Sequence, residues 1–184
     1  MFRNFLLAVS AIISLIFWAP LAAAENPAGS RPSEAFVQEV LTWLSGNFDL
    51  PSIKAAPAIA FASKERLSAM RKDGGLASAD VRSEPALPGE AARDRVVAVY
   101  DRSSETILLP LGWTGATSAE QSILVHELVH HLQKVAQTRF ECPMAAEKLA
   151  YLAQDRWLER SGSSLEKEFE LDKFTILISS ACFY

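Results

Sequence analysis

Apolar residues recur at intervals of three and four positions in several stretches of the chain, which is the spacing of one buried face of a helix. The first such stretch follows Ser33, a good helix-capping residue. The predicted helices comprise residues 33–46, 63–70, 117–136 and 143–162, and a last helix from Ser163 with Phe174, Leu177, Ile178 and Ala181 on its apolar face. Helix 117–136 begins in a capping box, either at Thr117 with Glu120 or one residue further along.

Short runs of β-prone residues predict a small sheet. Residues 95–100 and 106–109 flank a polar turn and are expected to form a hairpin, and residues 57–61 (PAIAF) are a further candidate strand. Residues 73–94 mix glycine, proline, serine and charged residues, a composition typical of a solvated loop. The chain has no internal repeat, and its 184 residues fit one domain. We therefore expect an α+β fold, in which the hairpin packs on helix 117–136 and on two or three further helices.

Composition excludes two classes of protein. Apolar residues make up 49 % of the chain and charged residues 22 %, too apolar a mixture for intrinsic disorder. The formal net charge of −4 lacks the basic excess that nucleic-acid binding usually needs. We therefore expect a globular protein with no nucleic-acid partner.

The segment 1–24 has the organisation of a secretory signal peptide. Arg3 supplies the positive charge, residues 5–18 are largely apolar, and three alanines precede Glu25 as a cleavage pattern. The alternative is a retained anchor, because the apolar run is long enough to span a bilayer, but Pro20 and the alanines favour cleavage. The sequence thus predicts a single domain of residues 25–184, exported to the periplasm or secreted, without membrane contact after cleavage.

Cys142 and Cys182 are the only cysteines of the chain. In an oxidising compartment, an even pair in a small exported domain favours one disulfide. The alternative is two buried free thiols. A bridge between them would tie the last predicted helix to the start of helix 143–162.

Residues 122–133 (SILVHELVHHLQ) contain the most informative motif, H-E-x-x-H. His126 and His130 are one helical turn apart and differ by about 40° of rotation, so both imidazoles can bind one ion, and zinc fits that arrangement. Glu127 projects about 100° away, beside the metal, where its carboxylate can accept a proton from water as a general base. The alternative is a helix whose histidines are merely paired core or surface groups.

Catalytic zinc usually has three protein ligands, so a third donor is required. His131 is rotated about 100° from His130 and is expected to face solvent or another partner, and no histidine follows it. We predict Glu147 as the carboxylate ligand, because the turn at residues 142–143 allows the next helix to fold back. Glu141, in that turn, is a weaker candidate, and Asp155 and Glu159 lie two and three turns further along the helix. Alternatively, Glu147 is an ordinary acid in a first helical turn.

The segment HELVHH followed by residues 147–151 (EKLAY) resembles the gluzincin zinc metallopeptidases in their minimal-domain form, and also small exported bacterial proteins of unassigned function. In gluzincins a glutamate on a following helix completes the site, often within an E-x-x-A-D pattern. Ala150 matches that pattern, whereas Tyr151 stands where those enzymes commonly place an Asp that orients a ligand histidine. The resemblance covers about residues 95–157.

The resemblance implies a Zn²⁺-dependent peptidase that acts on a peptide or protein substrate, with Glu127 as the general base. Residues 106–109 would then be the edge strand that pairs with an extended substrate, unless a loop covers that strand. Tyr151 or Tyr100 would donate to the oxyanion, although each is also a suitable core aromatic. Two other functions remain open, namely a catalytically inactive zinc-binding interaction module of zincin-like fold and an exported domain without metal.

Overall fold

The computed structural model describes residues 30–73 and 98–182. Its elements are α1 (Glu34–Asn47), β1 (Ala58–Ala62), α2 (Lys64–Asp73), β2 (Val99–Asp101), β3 (Thr106–Pro110), α3 (Ser118–Val135), a 3₁₀ helix (Pro143–Ala146), α4 (Glu147–Glu159), α5 (Leu165–Phe169) and α6 (Lys173–Ser179). The predicted signal peptide and nearly all of the predicted loop 73–94 lie outside the described residues. The predicted α+β fold class is confirmed.

The sheet is mixed and has the strand order β1-β3-β2. β1 runs parallel to β3, with Ala58 opposite Thr106, and β2 runs antiparallel to β3, with Tyr100 opposite Ile107. The predicted hairpin forms between β2 and β3, although residues 95–97 of its predicted first strand lie outside the described residues, and the strand near residues 57–61 is confirmed. The expectation that residues 106–109 form an edge strand is wrong, because β1 pairs with the second side of β3. In the described part of the chain, the outer strands are β1 and β2, and β2 contacts α3.

The main core lies between α1, the sheet, α3 and α4. Ile107 and Leu109 of β3 face this core, whereas Leu108 between them faces a smaller cluster with Leu67 of α2, because successive strand residues point to opposite faces. The main core also contains Val37, Val40, Leu41 and Leu44 of α1, Leu124, Val125, Leu128, Val129 and Leu132 of α3, and Ala150, Ala153 and Trp157 of α4. The helix that carries the H-E-x-x-H motif, α3, is therefore packed against the sheet and against α4.

The start of α3 is fixed by side chains of the preceding loop. Thr117 accepts a hydrogen bond from the Glu120 backbone N–H at 3.1 Å, and Glu120 accepts one from the Thr117 backbone in return, so the first predicted capping box is the one formed. The indole N–H of Trp113 donates to the Glu120 carbonyl at 2.9 Å. Gly115 has φ +71°, and a Cβ there would lie 2.6 Å from the Trp113 ring, so this position requires glycine.

The C-terminal segment differs from the prediction of one helix. It forms two short helices, α5 and α6, because Glu170 adopts a left-handed conformation (φ 57°) and Asp172 then caps α6 through the Thr175 backbone N–H. Phe174 and Leu177 are 70 % and 62 % exposed, so the expected apolar face is not buried. The predicted disulfide between Cys142 and Cys182 is confirmed. Of the described helices, none has the length and apolar character needed to cross a membrane.

Candidate metal centre

Three donor side chains converge where α3 packs against the start of α4. His126 and His130 project from successive turns of α3, and Glu147 is the first residue of α4. The two Nε2 atoms are 3.2 Å apart, and the Glu147 carboxylate oxygens lie 3.1 Å from His126 Nε2 and 3.4 Å from His130 Nε2. Within residues 30–73 and 98–182, this is the cluster of ligating side chains that could hold a metal ion.

The spacing of these donor atoms suits a small divalent ion. A tetrahedral ion bound at about 2.0–2.1 Å holds its ligand atoms about 3.3 Å apart. The two Nε2 atoms, 3.2 Å apart, lie near that value, and each faces its own Glu147 oxygen, Oε2 at 3.1 Å from His126 and Oε1 at 3.4 Å from His130. Taken as one ligand atom from each residue, the three donors lie within 4.8 Å of one another. Two imidazole nitrogens and one carboxylate are also a ligand set that proteins use for zinc. The predicted donors His126, His130 and Glu147 therefore fit a metal ion both in geometry and in chemistry.

Charge interactions within the cluster shift the pKa values of its members. Burial alone would raise the pKa of the Glu147 carboxyl, but the charges and hydrogen bonds of His130 and His126 hold it well below its ordinary value. Burial likewise disfavours a charged His130, yet the charge and hydrogen bond of Glu147 dominate and raise the pKa of His130 to about 9. Both shifts favour the charged forms, a carboxylate at Glu147 and an imidazolium at His130, because each charge stabilises the other.

Glu127 lies beside the cluster and is not one of its converging donors. Its side chain is buried, since the residue is only 7 % exposed. Burial raises the pKa of the Glu127 carboxyl, although the neighbouring His126 and His130 charges oppose the rise. A hydrogen bond from the Tyr100 backbone N–H in β2 also opposes the rise in this pKa. This placement agrees with the position that helix geometry predicts for Glu127.

The aromatic candidates have different surroundings. The Tyr151 ring packs edge-on against His126, with ring centroids 4.9 Å apart, and therefore lies next to the cluster. The Tyr100 hydroxyl is instead 3.0 Å from His131 Nδ1, so this contact does not support an oxyanion role for Tyr100. His131 is buried, which lowers its pKa. Of the two positions expected for His131, facing solvent or facing another side chain, the structure has the second, with Tyr100 as the partner.

The other acids considered as ligands lie elsewhere. Glu141 is exposed in the turn before the 3₁₀ helix. Asp155 accepts a hydrogen bond from the Leu165 backbone N–H, and Glu159 pairs with Arg156 on the surface. Glu147 is therefore the acid that reaches the histidines.

Sequence reasoning missed two glutamines that contact the donor histidines. Gln133 lies 3.1 Å from His130 Nδ1, and Gln154 lies 3.0 Å from His126 Nδ1. Their spacing offered a signal, because Gln133 is three residues after His130, and Gln154 is two helical turns after Glu147. Residues at these separations share a helix face, so both amides could have been assigned to the metal side of α3 and α4.

Neither the curated proteins nor the solved structures gave a match. Residues 29–183 match a family described as a domain of unknown function, DUF6647. Since that range spans most of the chain, including all three donor residues, the protein belongs to the DUF6647 family.

Proposed function

We propose that this protein is an exported, zinc-dependent peptidase of gluzincin type that hydrolyses peptide bonds. The observation that carries the proposal is the convergence of His126, His130 and Glu147, whose ligand atoms lie within 4.8 Å of one another, with a buried carboxylate, Glu127, beside them. Two histidines and a glutamate are the protein ligands of several catalytic zinc sites. The ligand set and the adjacent acid together favour zinc-assisted hydrolysis over a purely structural ion.

Zinc, when bound, supplies a Lewis acid that lowers the pKa of water to about 7 and polarises a carbonyl group. Glu127 is the residue of this chain that moves the proton. It accepts a proton from the attacking water while the water oxygen bonds to the amide carbonyl carbon. It then returns the proton to the amine nitrogen as the C–N bond breaks.

Export is supported by two features at opposite ends of the chain. Residues 1–24 have the charge, apolar run and small-residue pattern of a signal peptide. The Cys142–Cys182 disulfide suits an oxidising compartment such as the periplasm or the extracellular space. We therefore propose that the active protein acts on peptides or proteins outside the cytoplasm.

A catalytically inactive zinc-binding module is the second candidate function. It is favoured by the surroundings of Glu127, which is 7 % exposed and already accepts a hydrogen bond from β2. A general base must be reached by water and by the substrate amide. If β2 holds Glu127 away from substrate, the same residues would bind zinc without hydrolysis.

The deciding experiment compares the parent protein with Glu127→Gln, Glu147→Ala and a control, Glu141→Ala. Zinc content is measured by mass spectrometry of the metal, and hydrolysis by mass spectrometry of a mixed peptide library. Glu127→Gln should retain zinc and lose about 10²- to 10⁴-fold in rate, the usual contribution of a general base. Glu147→Ala should lose zinc. Glu141→Ala changes an exposed acid in the connecting turn and should change neither quantity.

Three outcomes would contradict the proposal. A parent protein that holds zinc but cleaves no peptide identifies the inactive module. Cleavage that persists in Glu127→Gln would remove the assigned base. Full zinc content in Glu147→Ala would place the third ligand elsewhere.

A further inference from the structure

Each donor histidine has one ring nitrogen, Nδ1, that faces away from the cluster, and a buried glutamine contacts that nitrogen in both cases. Gln154 Oε1 lies 3.0 Å from His126 Nδ1, and Gln133 Oε1 lies 3.1 Å from His130 Nδ1. Gln154 is 5 % exposed and Gln133 is 1 % exposed. An amide can face a ring nitrogen with either its oxygen or its nitrogen, and the other hydrogen bonds of the amide determine which atom does so.

The amide orientation of Gln154 follows from Ser122. The Ser122 hydroxyl donates its hydrogen to the Ala119 carbonyl at 2.8 Å, so toward Gln154 it can act only as an acceptor. Gln154 Nε2 donates to this hydroxyl at 3.3 Å. The amide oxygen of Gln154 therefore faces His126, and His126 Nδ1 must be the donor in that contact.

The amide orientation of Gln133 follows from the backbone before α4. Gln133 Nε2 donates to the Ala146 carbonyl at 2.9 Å, and a carbonyl can only accept. The Gln133 oxygen therefore faces His130, whose Nδ1 is the donor. Ala146 immediately precedes Glu147, so the same amide connects one ligand histidine to the backbone that carries the third ligand.

From these contacts we propose that Gln133 and Gln154 are positioning residues that fix both ligand histidines as Nδ1–H tautomers and direct their Nε2 atoms to the metal. The inference rests on the metal site of the proposed function but not on hydrolysis. Groups that hold the second nitrogen of a ligand histidine orient the ring, and their loss commonly costs 10- to 100-fold in metal affinity.

The chemical novelty is that both holding groups are neutral. A carboxylate on Nδ1 makes an imidazole a stronger donor to the metal, and it also adds a negative charge near the ion. Here two amides hold the rings, and Tyr151 occupies the position where the gluzincin pattern has an Asp. With two neutral amides here, the negative charge that the chain places at the cluster comes from Glu147 and from the adjacent Glu127.

Zinc affinity and histidine NMR on the protein of residues 25–184 test this role. The variants are Gln154→Leu, Gln133→Leu and Gln154→Glu, with Gln121→Leu as the matched control. Gln121 lies on the same helix and its amide donates to the Gly115 carbonyl at 2.9 Å, away from both histidines. Affinity is measured by competition with a chromophoric zinc chelator, and the ring N–H signals by ¹⁵N NMR of the zinc-loaded protein.

Each leucine variant should lose about 10- to 100-fold in zinc affinity, whereas Gln121→Leu should not change it. The parent should show an Nδ1–H signal for both ligand histidines, and Gln154→Leu should lose the His126 signal to exchange with water. Gln154→Glu should retain that signal, because its carboxylate also accepts the Nδ1–H. If Gln154 had only a packing role, Gln154→Glu would not retain a signal that Gln154→Leu loses.

Unchanged zinc affinity in both leucine variants would overturn the inference while leaving the metal site intact. An Nε2–H proton on either ligand histidine of the zinc-loaded parent would overturn it as well. If the parent itself binds no zinc, the metal site and this inference fail together, and the zinc content of the parent, measured first, separates that case from a failure of the glutamine role alone.

Discussion

Removal of the Cys142–Cys182 disulfide should strongly destabilise the fold. The perturbation is the double variant Cys142→Ser, Cys182→Ser. The bridge closes a loop with a sequence separation of 40. In the chain-entropy model such a loop restricts the unfolded state by about 13 cal/mol/K, or about 4 kcal/mol at 25 °C. For a chain of this size, that loss corresponds to a fall of roughly 8–16 °C in Tm.

The structure explains why the whole of this free energy should appear. The loop is not a separate appendage, because it contains α4, whose Trp157 lies in the main core, and α5, whose Leu165 is buried. Trp157 packs edge-on against Trp43 of α1 at 5.1 Å, and Arg160 lies 3.9 Å above the Trp157 ring. The bridged segment should therefore unfold together with the rest of the domain.

Urea unfolding, followed by tryptophan fluorescence and by circular dichroism, measures the effect. The double variant should have a lower midpoint with a similar slope, and the parent treated with a thiol reductant should reproduce it. Loss of less than about 1 kcal/mol would refute the reasoning, since a loop of this length should give several times more. Two separate transitions in the variant would also refute it, because they would show that the C-terminal helices unfold independently.

Two further predictions concern local structure. Thr117→Ala should lower the free energy of unfolding by about 1 kcal/mol, because it removes the cap of α3, and Thr117→Ser should restore most of the loss. Urea unfolding tests this, and equal stability of the alanine variant would contradict it. The Asp101 carboxyl accepts hydrogen bonds from Ser103 and Ser104, which lower its pKa from 3.8 to about 2. Because the folded pKa is the lower one, this stabilisation is complete above pH 3.8 and disappears as the pH falls through about 2. Carboxyl ¹³C NMR should give this pKa in the folded protein, and thermal scans should show Asp101→Asn less stable than the parent at pH 7 but not at pH 2; an ordinary Asp pKa would contradict the turn geometry.

The metal-motif residues could be predicted because the relations among them are local. One turn of helix fixes the relative directions of His126, Glu127 and His130 whatever the helix packs against. To predict Glu147 as the third donor, the next helix must also fold back on the first, and the turn at residues 142–143 indicates that reversal correctly. Because all three histidines of the chain lie within residues 126–131, the remaining candidates for the third ligand are acids.

The errors arose where distant residues decide the structure. The pairing of β1 with β3 joins Ala58 to Thr106, and nothing within either strand specifies that partner, so the sequence does not reveal that β3 is the central strand. The apolar spacing continues past Glu170, so it predicts one final helix where the structure has two. Asp172 is the local signal for the second helix, because Asp is a favoured N-cap residue and here accepts a hydrogen bond from the Thr175 backbone N–H.

The glutamines beside the histidines illustrate a different limit. An amide is uncharged and common, so Gln133 and Gln154 are not distinguished from surface residues until their partners are known. Ser122 and the Ala146 carbonyl, which orient them, come from separate parts of the chain. Only the packing of α3 on α4 brings the four groups together.

The parallel pairing of β1 with β3 has a consequence for the order of assembly during folding. The three donor residues lie within 126–147, on two neighbouring helices, whereas the parallel pair must close a far longer stretch of chain. Short-range contacts form sooner than long-range ones. The pair of α3 and α4 should therefore bring the three donor residues together before the sheet is complete, and we expect pulse-labelled amides of α3 to gain protection earlier than those of β1.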